Sequence, residues 1–237
     1  CPMPMLTRMP PSAGDQVIEN LGEGLDTVRS WVTFTLSQNV EALQLLGTTE
    51  ALNGFGNGLD NGLTGNAGNN RLEGGDGNDT LTGGLGSDTL VGGAGNDRLF
   101  GLVANASSFF DWDRMEGGAG DDLYQADSRY DVVVENLNDG IDTVQSITDF
   151  VLPDHVENIE LQGSSVVSGV GNSLDNVMVG NSNSNNLDGR EGADSMYGGG
   201  GNDVYHVDNP GDTVNETPGG GALDRVYSML PTYVLPD

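Results

Sequence analysis

The chain has no lysine, one cysteine, two histidines and no long apolar run. Each shortage narrows what it does. Without lysine, its eight basic residues are all arginine, set against 36 acidic ones for a net charge of −28. So much acid repels phosphate backbones, which argues against nucleic acid as a partner, and repels itself unless a cation is present. The single cysteine, Cys1, allows no intrachain disulfide, so in a secreted chain metal would take that stabilising role. No stretch reaches the ~18 apolar residues that a membrane-spanning helix needs. No cationic segment followed by an apolar one marks a general export leader. Hydrophobic content is 35%, low for a compact globule but suited to a solenoid with a thin core. No His-Glu-x-x-His or Gly-x-Ser-x-Gly element is present, and His155 and His206 fall at unrelated places. Enzymatic activity is therefore not expected of this segment, although its many carboxylates do not by inventory rule out an acid–base pair.

Glycine, by contrast, is abundant and spaced. Gly-Gly-x-Gly-x-Asp-x-U-x, with U a large apolar residue, occurs three times in tandem, starting at Gly74, Gly83 and Gly92. Weaker copies start at Gly56, Gly65, Ser108, Gly117, Gly171, Gly180, Gly189 and Gly198. Position six reads Asn61, Asn70, Asp79, Asp88, Asp97, Asp113, Asp122, Asn176, Asn185, Asp194 and Asp203. Position eight reads Leu63, Leu72, Leu81, Leu90, Leu99, Met115, Tyr124, Met178, Leu187, Met196 and Tyr205, each able to fill a core. Two independent columns agree, so the weaker copies count.

A longer repeat encloses these. Asp15–Asn20 returns as Asp131–Asn136, and Gly24–Ser30 as Gly140–Ser146; a third copy opens at Asp212. The first two copies differ by three nonapeptides, a seven-residue insert at 101–107 and one residue near position 50.

A Gly-rich run of six turns sharply, because glycine reaches positive φ without a Cβ clash. Three strand residues follow, and alternation sends position eight inward. Two nonapeptides close one coil, so alternate turns stack roughly 4.8 Å apart. With the insert looped out, one row reads Asn61, Asp79, Asp97, Asp122 and the other Asn70, Asp88, Asp113. Stacked carboxylates and carbonyls form an oxygen cage that suits calcium better than magnesium.

This nonapeptide resembles that of the RTX family of secreted, calcium-dependent bacterial proteins. The resemblance implies an all-β fold, a parallel β-roll or β-helix solenoid, with calcium as cofactor. It implies ligation by the position-six carboxylates of Asp79, Asp88, Asp97, Asp113, Asp122, Asp194 and Asp203. It also implies turn carbonyls as ligands, assigned here to Gly75, Gly77, Gly84, Gly86, Gly93, Gly95, Gly118 and Gly120. It further implies an extracellular, secreted or cell-surface location. The turns at Asn61, Asn70, Asn176 and Asn185 lack the charge and are expected to close by asparagine hydrogen bonds, without metal.

The expected organisation is an irregular or disordered edge (1–12), a β-rich inter-roll segment (13–55) and a first calcium roll with its insert (56–130). A second inter-roll segment (131–170), a second roll (171–211) and a truncated third long repeat (212–237) follow. The inter-roll segments are expected to be further coils or short antiparallel additions. The chain reads as a fragment of a longer array. The first roll is expected to hold two or three ions, and the second to bind weakly or not at all. Two functions fit: a calcium-dependent folding and secretion module, or an adhesion module offering loops such as 101–112 to a polysaccharide or cell surface. Phe109, Phe110 and Trp112 are either a contact patch or a cover for the roll's apolar side.

Overall fold

The computed structural model describes residues 17–22, 24–101, 111–216, 220–221 and 223–233. The 1–12 edge, residues 102–107 of the insert, Phe109 and Phe110, and 234–237 lie outside them. Among the described residues there are 22 strands and no helix. The chain divides into two compact units, the first running to Gln125 and including Tyr130–Val134, the second holding the rest.

The strands of the first unit are β1 (Thr27–Ser30), β2 (Phe34–Thr35), β3 (Ala42–Leu45), β4 (Asn53–Phe55), β5 (Gly62–Thr64), β6 (Arg71–Asp76), β7 (Thr80–Thr82), β8 (Thr89–Ala94), β9 (Arg98–Phe100), β10 (Arg114–Ala119), β11 (Leu123–Ala126) and β12 (Val132–Val134). Odd strands pair in order along one ladder and even strands along another. Every pairing is parallel, as in β5–β7, β6–β8 and β2–β4. This is a β-solenoid: two short sheets facing each other, joined by the glycine turns. The segment before Gly56 belongs to the same ladders, so its alternatives resolve to further coils. Its first coil is shorter, with Thr27 opposite Ala42.

The second unit repeats the plan with β13 (Thr143–Ser146), β14 (Phe150–Val151), β15 (Asn158–Leu161), β16 (Ser168–Val170), β17 (Val177–Val179), β18 (Asn186–Asp188), β19 (Ser195–Tyr197), β20 (Val204–Val207), β21 (Thr213–Asn215) and β22 (Arg225–Ser228). Again odd strands form one parallel ladder and even strands the other.

The core of each unit is the position-eight column. Leu72, Leu81, Leu90, Leu99, Met115, Tyr124, Met178, Leu187, Met196 and Tyr205 are all fully buried. Leu81 sits opposite Leu99, and Leu72 opposite Leu90. The column stays in register on either side of the insert: Leu99 pairs with Tyr124 and Leu90 with Met115. Burying a large apolar side chain contributes ~1.5–3 kcal/mol, so one residue per nonapeptide makes a real but slender core.

Candidate metal centre: two kinds of turn

Position six forms the two expected rows. From Asn61 to Asp113, and again from Asn176 to Asp203, the backbone N–H of each position-six residue donates to Oδ1 of an aspartate one coil later. Asn61 donates to Asp79 at 2.6 Å, Asp79 to Asp97 at 2.7 Å and Asp97 to Asp122 at 2.7 Å. On the other side Asn70 donates to Asp88 at 2.6 Å and Asp88 to Asp113 at 2.8 Å. This is the stacking order read from the sequence. The row then runs one residue further, since Asp113 N–H donates to Asp131 Oδ1 at 3.0 Å. In the second unit Asn176 donates to Asp194 and Asp194 to Asp212, while Asn185 donates to Asp203 and Asp203 to Asp224. Asp131, Asp212 and Asp224 stand in no nonapeptide and were not among the expected ligands; Asp131 and Asp212 nevertheless lie one 18-residue coil beyond Asp113 and Asp194, a spacing that would have found them, whereas Asp224 lies 21 residues beyond Asp203.

A second ladder at position five runs the opposite way. Asn78 N–H donates back to Asp60 Oδ1, and Asn96 N–H to Asn78 Oδ1, each at 2.7 Å. Coils are thus joined at the turn by hydrogen bonds of both polarities.

The other carboxylate oxygen is what distinguishes the aspartate turns. Oδ2 of Asp79, Asp88, Asp97, Asp194 and Asp203 is buried with no hydrogen-bond partner. Each lies beside the first glycine of its own turn: a Cβ on Gly74 would stand 2.0 Å from Asp79 Oδ2, and one on Gly92 2.1 Å from Asp97 Oδ2. Gly101, counted with the insert on sequence alone, holds this same place for Asp113.

Position two explains the unpartnered oxygen. In every asparagine turn it is also asparagine: Asn57, Asn66, Asn172 and Asn181. Their N–H groups donate to Oδ1 of Asn61, Asn70, Asn176 and Asn185 at 2.7–2.9 Å. Their side chains then close the turn on itself, as when Asn57 Oδ1 accepts from Leu59 N–H. In the aspartate turns position two is left-handed instead: Gly75, Gly84, Gly93, Gly118 and Gly199 have φ of 88–125°, and even Arg190 has 64°. Position four is left-handed too, at Gly77, Gly86, Gly95 and Gly120. Glycine is required there by space as well: a Cβ on Gly93 would lie 2.0 Å from Gly75 O, and one on Gly95 2.1 Å from Gly77 O. The result is a stack of backbone carbonyls beside a row of unpartnered carboxylate oxygens.

Burial pushes Asp79, Asp88 and Asp194 up to about 7 and Asp97 to about 6, against the lowering effect of the accepted N–H; like charges such as Asp97 beside Asp79 add to the rise. An unsatisfied buried oxygen is costly unless it meets a proton or a cation. The donor set is oxygen only, anionic and carbonyl-rich, which fits calcium with its ~6–8 oxygen ligands at ~2.3–2.6 Å. All the aspartates and glycines singled out from the sequence fall in these turns. His206, half-buried, stacks on the exposed Tyr227 with ring centroids 5.6 Å apart.

The sequence profile of the RTX calcium-binding nonapeptide repeat matches the chain in four copies, at residues 55–90, 64–99, 110–128 and 170–205. Comparison with curated proteins returns no match.

Proposed function

The chain carries RTX calcium-binding repeats in a β-solenoid, and from that premise we propose that it is a calcium-driven folding module of a secreted or cell-surface protein. The observation that carries this reading is the buried Oδ2 row at Asp79, Asp88, Asp97, Asp194 and Asp203. Position-six carboxylates and the carbonyls of the left-handed glycines are its ligands. Where calcium is scarce, the carboxylates stack against one another along each row, and the slender core does not offset both that repulsion and chain entropy. Outside the cell the ion neutralises them, and binding free energy becomes folding free energy. The module is accessory to whatever chemistry a longer protein performs. The asparagine turns, closed by their own side chains, start each roll without an ion.

The test is far-UV circular dichroism during a calcium titration. A largely unfolded chain in chelator and a β-rich one in millimolar calcium are expected; an unchanged spectrum sinks the reading. Exposed Trp112 and Tyr130 favour a second role in holding a polysaccharide or cell surface. Glycan binding by the calcium-loaded chain, lost on Trp112→Ala, tests it.

A further inference from the structure

We propose a calcium site at the C-terminal end of the second unit, formed by Asp203, Glu216 and Asp224 and closed by residues outside the nonapeptides. One carboxylate oxygen from each of the three lies within 4.8 Å of the others. Two ligands on opposite sides of a calcium ion are separated by about twice its ~2.3–2.6 Å bond, so this spacing admits the ion between them.

Asp203 supplies a second observation, independent of the clustering. It is 0% exposed, and its Oδ2 has no hydrogen-bond partner. That oxygen points to the same spot as Glu216. A Cβ on Gly198 would lie 2.2 Å from Asp203 Oδ2 and 2.1 Å from Tyr205 Oη. The Tyr205 hydroxyl in turn donates to Glu216 Oε1. From the coil above, Asp224 Oδ1 accepts the Asp203 N–H at 2.9 Å. Asp224 thus takes the place that a position-six aspartate would hold if the nonapeptides continued. Glu216 and Asp224 are themselves exposed, which leaves an entry path for the ion.

Neither Glu216 nor Asp224 lies in a matched repeat. They belong to the longer repeat, where Glu19 and Asp26, and Glu135 and Asp142, stand at corresponding places. The long repeat therefore contributes its own acidic pair where a nonapeptide run stops, and in the second unit that pair meets the last position-six aspartate.

This inference rests on the calcium reading of the turns, and the experiment separates the two. Glu216→Gln and Asp224→Asn keep shape and hydrogen-bond acceptors, and leave every nonapeptide carboxylate in place. Isothermal titration of the full chain with calcium alone is expected to show one ion fewer in the double variant, or one site at least tenfold weaker. A parent that binds no calcium overturns both readings. A parent that binds calcium with the double variant unchanged in stoichiometry and affinity overturns this one alone. If the double variant fails to fold, anomalous diffraction from the calcium-loaded parent decides. An ion bridging Asp203, Glu216 and Asp224 sustains the site, and density without one there refutes it.

Discussion

Exchanging Asn61 for aspartate changes one nitrogen for one oxygen, yet it should be among the most damaging isosteric substitutions in the chain. Asn61 is 3% exposed. Its Nδ2 donates to Val40 O at 3.2 Å and Glu41 O at 3.3 Å. The aspartates of the same row face an N–H from the coil below, whereas Asn61 faces carbonyls. In Asn61→Asp both hydrogen bonds vanish, at ~1 kcal/mol each, and a buried oxygen is left against two carbonyls, at ~1–3 kcal/mol more. The sum is about 3–5 kcal/mol at neutral pH. Acidification should lessen the loss, because a protonated acid donates to one of the carbonyls. Urea denaturation in saturating calcium, at pH 8 and pH 5, gives the difference from the midpoint at constant slope. Asp60→Asn is the control. It is exposed, and its retained Oδ1 still accepts from Asn78 N–H, so a change within ~0.5 kcal/mol is expected. If Asn61→Asp costs no more than that control, or gains a calcium ion by pairing with Asp79, the account of asparagine against aspartate at position six is wrong.

Asp97 lies between Asp79 and Asp122, and Asp113 between Asp88 and Asp131, whereas Asp79 and Asp88 each have an asparagine on one side. Asp97→Ala and Asp113→Ala should therefore weaken calcium binding several-fold more than Asp79→Ala or Asp88→Ala; equal calorimetric losses at Asp97 and Asp88 would contradict the shared-site scheme. The calcium-free chain should gain structure as pH falls. Asp79, Asp88 and Asp194 hold their protons to about 7 when folded but only to the ordinary 3.8 or so when unfolded. The folded form thus binds more protons across that window, and stability present below about 4 is lost as pH rises through about 7. Circular dichroism in chelator from pH 8 to pH 5 reads this, and a loss of structure on acidification would reverse the sign. Gly93→Ala should destabilise the calcium-loaded protein by more than ~2 kcal/mol, because φ is +125° and the new Cβ meets Gly75 O at 2.0 Å. Gly58→Ala, with open space around it, should cost ~1 kcal/mol or less on the same denaturation curve.

The sequence by itself determined the coil, its core and its two rows of turns. Position eight had to point inward because strands alternate, and Leu81, Leu99 and Tyr124 stack as that period requires. A nine-residue spacing brings position six of alternate turns together, as Asp79 with Asp97, and Asp97 meets Asp122 across 25 residues, two nonapeptides plus the seven-residue insert. The pairing of asparagine at positions two and six was also written in the chain, at Asn57 with Asn61 and Asn172 with Asn176. Its meaning required the hydrogen bond that joins them. Only the tertiary structure decided which groups end the rows. Asp131 and Asp212 stand 18 residues beyond Asp113 and Asp194 and so keep the period, but Asp224, 21 residues beyond Asp203, and Glu216 do not, and reach the site because coils of unequal length still stack strand on strand. The choice between asparagine and aspartate at position six has the same origin. It depends on whether the coil below presents a carbonyl or an N–H, a fact of three-dimensional neighbours that no spacing along the chain encodes.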